Sequence, residues 1–446
     1  MINYYPSHKH IRNNYRKIGG QHAGIVESQL LLCNTQPAAP KLAICANQMP
    51  HYEQILVSEN AKINYHLSGY GVHREEALVK LYGESVERYA LLAASVMWQD
   101  KVVYHSYNEM VSMEENVMPW EYIKIFSDED YAALSEKTNI CNITPDDVIG
   151  WLGCSSLLKP GKTVFIPMQC LFIGYHVGEE FGEKIFVPSF SKGSAAHVNI
   201  HKALASAIME AVEADAFMLS WYTNAKGRKV EADDIDLIKI TDEILGNTPY
   251  ELSFYDFSQQ GLPGHVIAAQ LTNTKGKAPY ILMGCSASLD PVRAAYRAMA
   301  EASTIHYLAA NGPMMSPVDF LGSDGQNFLN LDSNVAYWAM GDDGEKKAEI
   351  LKTIYEGEIN IGSMAAEGTG NDEADLKHMI SRLSEISEYA VYMDITPPEI
   401  IGSGLKVMRV FIPELVQLSY PGFPYSQHPR VLANGGITNA FPHPMP

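Results

Sequence analysis

The chain of 446 residues is long for a single compact core, so its length alone predicts two or three subdomains. Hydrophobic residues make up 46% of the sequence and charged residues 19%, as expected for a water-soluble globular protein. The formal net charge of -19 repels phosphate backbones, which argues against nucleic acid as a partner. A nucleotide ligand would therefore need metal ions or a local basic pocket.

Cysteine usage and the amino terminus favour a location in the cytoplasm. The six cysteines are scattered without a C-x-x-C pair, so we expect buried free thiols rather than a disulfide framework or a zinc ribbon. The first residues, MINYYPSHKHIRNNYRK, lack the apolar segment of a signal peptide. No stretch reaches the ~18 uninterrupted apolar residues of a membrane span.

Along the chain, the predicted elements alternate between helices and strands. The first part of the pattern predicts a helix over 74–94, strands over 101–107 and 163–175, a helix over about 200–222, and strands over 265–273 and 279–288. Asp290 then caps a helix that has Pro291 in its first turn. The late part predicts a surface helix over 341–357, a loop over 363–375, and strands over 388–396 and 405–415. This interleaving indicates an α/β fold with mixed sheets.

A weak internal repeat runs through these elements. Three times, a glycine-containing strand end or turn leads into an alanine-rich helix that carries acids, over 69–90, 192–216 and 284–302. The spacing is irregular, which excludes a solenoid. We interpret the repeat as one site assembled from three similar corners.

Two of these helices carry glutamates three residues apart, a spacing that places both carboxylates on one helix face. Glu84 and Glu87 form the first pair, for which an ordinary solvated face is the alternative. Glu210 and Glu213 form the second pair, in a stretch over 203–219 that has no Lys or Arg and is apolar nearly all round. Such a helix is buried, and a buried carboxylate needs a compensating partner. The second pair therefore indicates a functional site.

A hard cation suits these acids best. No H-x-x-E or E-x-x-H accompanies the pairs, which disfavours a di-iron centre, whereas Mg2+ prefers oxygen ligands and usually bridges carboxylates to substrate phosphates. The two pairs are thus predicted to hold Mg2+ against a nucleotide. Arg88 and Arg297 are candidate phosphate clamps, although Arg297 could equally pair with Glu301 at i,i+4. No P-loop or kinase signature is present.

The sequence ends in a P-x-P-x-P motif formed by Pro442, Pro444 and Pro446. Each proline fixes its own φ and disfavours helix in the residue before it. A frayed terminus is the alternative, but stiffening of this kind lowers the entropy cost of docking. We therefore predict a short, extended strut that ends in a carboxylate.

Together these motifs resemble the YcaO family, and in particular its azoline-forming cyclodehydratases. The resemblance covers the chain from about residue 65 to the C-terminus. It rests on the E-x-x-E-R motif at Glu84, Glu87 and Arg88, the second pair at Glu210 and Glu213, the segment LDPVRAAYRAMAEA with Arg297, the late strands VYMDIT and LKVMRVFIPEL, and the terminal P-x-P-x-P.

The resemblance implies the YcaO fold, which is an α/β fold of mixed sheets and packed helices with an ATP site between the acid-bearing helices. Residues 1–64 would be an N-terminal segment of the same globule, 65–420 the YcaO domain and 421–446 a proline-rich tail. ATP and Mg2+ are the implied cofactors. The implied metal ligands are Glu84, Glu87, Glu210 and Glu213, the nucleotide contacts are Arg88, Ser206, Arg297 and Glu301, and the carboxylate of Pro446 would assist proton transfer.

The implied activity is ring formation in a ribosomally synthesised precursor peptide, as in the making of thiazole/oxazole-modified microcins and other bacteriocins. A Cys, Ser or Thr side chain would attack the preceding amide carbonyl, ATP would phosphorylate the resulting oxyanion, and loss of phosphate would leave a thiazoline or oxazoline. The implied partners are the precursor and a subunit that binds its leader peptide in a multiprotein complex. A flavin dehydrogenase partner and a homodimer stay open, and neither nucleic acid nor a membrane is expected.

Four features depart from the usual family pattern. Ala214 stands in place of an arginine, Lys202 in place of a glutamate and Ser206 in place of a glutamine, and GSAAHVN replaces a run with a polar nucleotide contact. Such losses resemble the divergent SagD-like branch. They leave two alternatives to ring formation, namely a thioamide- or amidine-forming YcaO enzyme and a degenerate, non-catalytic scaffold subunit.

Overall fold

Strands and helices interleave along the chain as the sequence predicts. The structure is a computed structural model that describes residues 13–20, 24–32, 38–47, 49–59, 67–114, 116–315, 328–329, 331–341 and 343–445. Its strands form three sheets of three, five and six strands, and the five-stranded sheet combines parallel with antiparallel pairs. The predicted α/β class with mixed sheets is therefore confirmed.

The strands and helices have the following bounds. The strands are β1 (Leu30–Leu32), β2 (Ala43–Asn47), β3 (Leu67–Gly71), β4 (Val103–Ser106), β5 (Val148–Ser156), β6 (Thr163–Pro167), β7 (Ser194–His197), β8 (Gly227–Glu231), β9 (Tyr250–Asp256), β10 (His265–Asn273), β11 (Ile281–Ser288), β12 (Tyr355–Asn360), β13 (Val391–Asp394) and β14 (Lys406–Phe411). The helices are α1 (Tyr52–Leu56), α2 (Arg74–Met97), α3 (Tyr107–Met113), α4 (Asp128–Ser135), α5 (Ile200–Tyr222), α6 (Ile235–Leu245), α7 (Pro291–Met315), α8 (Leu331–Ala339), α9 (Gly344–Leu351), α10 (Asp372–Leu383), α11 (Pro398–Ile401) and α12 (Pro429–Ala433).

The chain divides into two compact units, each built from discontinuous segments. Unit 1 takes its described residues from Met1–Cys33, Ala43–Ile208 and Asp372–Glu414, and unit 2 takes them from Asn34–Leu42, Met209–Asn371 and Leu415–Pro446. The domain boundaries implied by the family resemblance stay a prediction.

Unit 1 contains two sheets. Strands β1, β2 and β3 form an antiparallel meander, and α2 follows directly and packs on β3. The second sheet has the order β4-β5-β13-β14-β7, with β6 added beside β5. Helix α2 begins after His73, which has an extended backbone, and Glu75 and Glu76 in its first turn suit the positive end of the helix dipole.

Unit 2 is organised around one sheet of order β11-β10-β9-β8-β12. Strands β9, β10 and β11 form an antiparallel meander, β12 joins β8 in parallel, and α7 packs on β11 and β10. The predicted N-cap of α7 is confirmed, because the Asp290 carboxylate accepts from the backbone N–H of Val292 at 3.0 Å.

The same strand-to-helix corner occurs in both units. A meander ends in a strand with a glycine at the point where the next helix passes closest, at Gly69 in unit 1 and Gly284 in unit 2. A Cβ at Gly69 would overlap the carbonyl oxygen of Ala77 on α2, and one at Gly284 would lie 2.5 Å from that of Ala298 on α7. Two corners of the weak sequence repeat are thus built alike, because glycine lets helix and strand backbones approach.

Two predicted boundaries are wrong for structural reasons. The strand predicted over 163–175 ends at Pro167, because proline has no N–H with which to extend a ladder, and a 3-10 turn follows. The helix predicted over 341–357 ends at Leu351, because the next residues form β12 beside β8.

The structure adds detail to the predicted loop, surface helix and cysteines. The loop predicted over 363–375 already contains the start of α10 at Asp372. Lys347 of the surface helix α9 is buried, and its ammonium group donates to the carbonyls of Tyr337 and Met340. The described cysteines are free thiols, of which Cys141 and Cys170 are only half-buried. No helix within the described ranges has the length and apolar character needed to span a bilayer.

Replacing Gly69 by Ala should destabilise the protein by at least about 2 kcal/mol, because the new methyl group would overlap backbone atoms of α2. The matched control is Gly83→Ala on α2, where a Cβ meets no atom within 4 Å. This control should raise stability by about 0.5–1 kcal/mol, because alanine favours the helix over glycine. Urea unfolding measures both effects, and equal stability of Gly69→Ala and the wild type would contradict the close packing.

Candidate functional site

The first predicted acid pair lies in unit 1, on α2. The Arg88 guanidinium joins the two acids, with Nη2 at 3.5 Å from Glu84 Oε1 and Nη1 at 3.4 Å from Glu87 Oε1. The Ser194 hydroxyl on β7 donates to the same Glu87 oxygen at 2.7 Å. Glu87 is only 8% exposed, so the alternative of an ordinary solvated face is wrong for this carboxylate.

Ser194 is held against Glu87 by a second arginine, which the sequence analysis missed. Arg409 on β14 is buried, and its guanidinium donates to the carbonyls of Ser191 at 3.0 Å and Lys192 at 2.5 Å. Gly193 in this turn has a φ of 92°, which a residue with a side chain rarely adopts. The turn before β7 therefore presents Ser194 to the acid helix. No short motif could have identified Arg409, because it lies far from Glu87 in sequence.

The environment of Glu87 disfavours its charged form. Burial raises the pKa of Glu87 to about 7, with a smaller contribution from the neighbouring Glu84. Arg88, the Ser194 hydroxyl and Arg409 act in the opposite direction without restoring the ordinary pKa. A divalent cation beside this carboxylate would favour its ionised form.

The second pair lies on α5 in unit 2, and the helix spans the predicted 200–222. Residues 211–222 are all buried, which confirms the burial predicted from the apolar pattern. Glu210 is half-buried, whereas Glu213 is 7% exposed and accepts from the Ala287 N–H of β11 at 3.2 Å. A strand edge therefore supplies one of the donors that this buried carboxylate needs.

A second acid binds the same strand edge. Glu301 of α7 accepts from the Cys285 N–H of β11 at 2.8 Å. Residues 285 and 287 are two apart, so their N–H groups point to the same side of the strand and lie about 7 Å apart. Within the described residues, β11 pairs with β10 on its other side only. The structure thus brings Glu213 and Glu301 together along one strand. The sequence analysis had given them separate roles, Glu213 as a metal ligand and Glu301 as a nucleotide contact.

A third acid of α5 has a partner of opposite charge. Asp215 is fully buried, and the Arg430 Nε donates to both of its oxygens at 2.8 and 3.0 Å. The Val416 N–H donates to it at 2.9 Å. Burial raises the pKa of Asp215, and Arg430 opposes that shift. The sequence analysis predicted that a cation must compensate acids on this helix but did not identify Arg430.

The remaining predicted site residues lie in different surroundings. Ser206 is exposed on the unit 1 part of α5, and Arg297 is half-buried on α7 of unit 2. Pro446, the predicted catalytic residue, lies outside the described residues. Ala214, which replaces the usual arginine, is fully buried.

The donor set of each unit suits Mg2+ and phosphate in its chemistry. Carboxylate oxygens are the ligands that Mg2+ prefers, and guanidinium groups match phosphate oxygens. Among the described side chains, no group of three His, Cys, Asp or Glu residues could hold a metal ion.

Comparison with known proteins identifies one family. The sequence model described as "YcaO cyclodehydratase", ATP- and Mg2+-binding, matches residues 68–416. No curated protein matches the chain in sequence.

Several solved structures share the fold. A heterocyclase in complex with substrate and cofactor has 17% identity and a TM-score of 0.72, and the match covers 98% of this chain. YcaO from Methanopyrus kandleri bound with AMPPCP and Mg2+ has 17% identity and a TM-score of 0.61, over 93% of this chain and 92% of that one. The E. coli microcin synthetase McbBCD complex has 12% identity and a TM-score of 0.58, over 87% and 88%. The chain spans only 57% of the heterocyclase.

The raised pKa of Glu87 predicts a pH-dependent stability in Mg2+-free buffer. The folded protein holds this proton up to about pH 7, whereas the unfolded chain releases it near 4.5, so stability falls as pH rises between these values. The total loss is roughly 2–4 kcal/mol. Glu87→Gln cannot ionise, so it should flatten this slope and be more stable than the wild type at about pH 8.

Urea unfolding across this pH range measures the effect. Ser194→Ala is a control for the direction of the effect, because it removes a donor to the charged carboxylate. It should raise the pKa of Glu87 further, so that stability continues to fall up to a higher pH. An equal loss of stability in Glu87→Gln at every pH would contradict the prediction.

Removing Arg430 should be strongly destabilising, because it leaves Asp215 as a buried charge without its guanidinium. We expect Arg430→Met to lower the free energy of unfolding by about 3–5 kcal/mol, and Asp215→Asn in the same chain to restore part of it. Lys239→Met is the control, since its pair with Asp236 is exposed and worth about 0–1 kcal/mol. Chemical denaturation of the variants and the double mutant checks this, and strictly additive losses would contradict the pairing.

Proposed function

Because the chain belongs to the YcaO family of ATP- and Mg2+-binding cyclodehydratases, we propose that it forms thiazoline and oxazoline rings from Cys, Ser and Thr residues of a ribosomally synthesised peptide. The observation that carries this proposal is the burial of two carboxylates, Glu87 and Glu213, on helices where the sequence places acid pairs. Burial of acids is costly, so it favours a functional role over an ordinary helix surface.

Ring formation removes one water from the peptide. The side-chain thiol or hydroxyl adds to the preceding amide carbon, and its proton leaves. ATP, when bound, supplies the phosphoryl group that turns the carbonyl oxygen into a leaving group. Departure of phosphate and loss of the amide proton then form the C=N bond, so each ring consumes one ATP and yields ADP and phosphate.

In unit 1, we assign Glu84 and Glu87 as ligands for Mg2+ and Arg88 as a phosphate contact. Arg88 already bridges both carboxylates, so it is held where a phosphate oxygen could replace one of its contacts. Ser194 orients Glu87 through its hydrogen bond. Ser206 remains a proposed nucleotide contact, and its exposure on α5 is compatible with that role.

In unit 2, we assign Glu210 and Glu213 as Mg2+ ligands and Arg297 as a phosphate contact. Glu213 accepts from the Ala287 N–H, which orients its carboxylate as a metal ligand. Glu301 is anchored by the Cys285 N–H, which makes it a rigid acceptor for a nucleotide hydroxyl or amino group. The carboxylate of Pro446 is the proposed proton acceptor near the peptide.

We further propose that the chain acts with partner subunits in the cytoplasm. One partner binds the leader of the precursor peptide, and a flavin dehydrogenase would oxidise azolines to azoles. The similarity in fold to the McbBCD complex, described as a microcin synthetase, supports a multiprotein assembly.

Nucleotide binding tests the assigned ligands. Glu87→Gln and Glu213→Gln should each weaken binding of Mg2+ with AMPPCP at least about tenfold by calorimetry, because each removes a charged ligand. Glu76→Gln is the control on α2, the helix of Glu87, where the acid forms a half-exposed pair with Lys80, and it should bind within about twofold of the wild type. Wild-type affinity in both Glu87→Gln and Glu213→Gln would contradict the assignment of these residues as Mg2+ ligands.

Mass spectrometry of a reconstituted reaction separates the alternatives. With a Cys-, Ser- and Thr-rich precursor and its leader-binding partner, ring formation gives the loss of one water per ATP hydrolysed. Exchange of oxygen for sulfur, or water loss with a new amidine, would assign another YcaO reaction. Absence of ATP hydrolysis and of any product with the partner present would favour a scaffold subunit.

A further inference from the structure

The proline-rich C-terminal segment is buried within unit 2. His443 has no exposed surface and Met445 is 2% exposed, so residues 441–445 do not behave as a frayed end. The residues before this segment include Gly435 and Gly436, both with positive φ, at 92° and 75°. The predicted docked strut is thus observed up to residue 445.

The groove that holds this segment recognises its carbonyl groups. The indole N–H of Trp221 donates to the Phe441 carbonyl and that of Trp338 donates to the Pro442 carbonyl, each at 2.9 Å. The Asn334 amide donates to the His443 carbonyl at 2.6 Å and to that of Met445 at 2.7 Å. Since proline has no N–H, such a segment offers mainly acceptors, and the groove supplies the matching donors.

The histidine between the prolines is recognised through its side chain. The His443 Nε2 lies 3.1 Å from the Ser419 carbonyl and its Nδ1 lies 3.3 Å from the Asn334 amide nitrogen. A neutral ring with its proton on Nε2 donates to the Ser419 carbonyl, whereas the two hydrogens of the Asn334 amide are given to the carbonyls of His443 and Met445. The ring also packs edge-on against Phe217 and Tyr222. The site therefore selects a neutral, flat side chain between two prolines.

The walls of the groove are rigid. The ring centroids of Trp221 and Trp338 lie 5.4 Å apart in an edge-to-face contact, and both side chains are fully buried. Indole donors on an aromatic surface are the means by which proteins bind extended proline-rich peptides, whose stiffness lowers the entropy cost of binding. The contacts to residues 441–445 have this character, because they read main-chain carbonyls rather than continue a sheet or helix.

We propose that unit 2 contains a binding groove for an extended, proline-rich peptide with histidine between its prolines, and that the chain's own residues 441–445 occupy it as a separable ligand. Gly435 and Gly436 end α12 through backbone hydrogen bonds to Leu432 and Val431, so the segment beyond them is held by side chains of the groove and not by a continuing helix or sheet. The groove then accepts the same sequence supplied as a separate molecule.

A complementation experiment tests the proposal. A variant that ends at Asn439 is titrated with the synthetic peptide AFPHPMP, which reproduces residues 440–446, in an isothermal calorimeter. We expect saturable one-to-one binding and a raised melting temperature. The peptide AFAHAMA, which lacks the prolines, should bind at least about tenfold more weakly, because it is not preorganised.

Groove variants show whether carbonyl recognition drives the binding. Trp338→Phe keeps an aromatic ring but removes the donor to the Pro442 carbonyl. It should lower the affinity for the peptide about tenfold. Tyr104→Phe, which alters a hydroxyl in unit 1, is the control and should leave the affinity unchanged. Because peptide binding needs neither nucleotide nor precursor, its outcome is independent of the proposed catalytic function.

The full-length chain provides a second measurement if the shortened variant does not fold. Hydrogen exchange at the amides of His443 and Met445 should proceed by local release, faster than global unfolding, and Trp338→Phe should accelerate it about tenfold. Excess AFPHPMP should compete with the attached segment and increase that exchange further. Exchange of these amides only through global unfolding, with no response to the peptide, would overturn the proposal.

Discussion

The burial of carboxylates on apolar helices is the constraint on which the rest of the structure depends. Each buried acid loses its hydration and must recover the lost free energy from the protein. The chain does this in three ways: a hydroxyl and an arginine for Glu87, a strand N–H for Glu213, and a guanidinium with a backbone N–H for Asp215. The guanidinium contacts of Asp215, at 2.8 and 3.0 Å, are shorter than that of Glu87, at 3.4 Å.

This difference separates structural acids from candidate metal ligands. Asp215 has a guanidinium against both oxygens, so its charge is compensated within the protein. Glu87 has a longer guanidinium contact, at 3.4 Å from Arg88 Nη1, and Glu84 shares that guanidinium, whereas burial raises the pKa of Glu87 and Asp215 alike. Acids on one type of helix can thus serve different purposes, and the partner rather than the residue type reveals which one applies.

Local periodicity made much of the fold predictable, whereas long-range pairing did not. The bounds of α5 and the burial of its faces follow from a 3.6-residue apolar pattern, and the cap of α7 follows from Asp290 and Pro291. The Asp215–Arg430 pair joins residues that are distant in sequence, and Arg409 reaches Ser194 through a turn that no motif marks. Edge donors such as the Ala287 N–H are invisible in a sequence, because they depend on which strand lacks a neighbour.

The two acids on the edge of β11 have an evolutionary consequence. A buried backbone N–H without a partner is costly, and two such groups on this strand are satisfied by Glu213 and Glu301. Selection for stability would therefore retain both glutamates even in a lineage that had ceased to bind nucleotide. The presence of both glutamates in a related sequence is therefore a poor indicator of catalytic activity. An acid such as Glu84, which lies on α2 beside Arg88, is a better indicator.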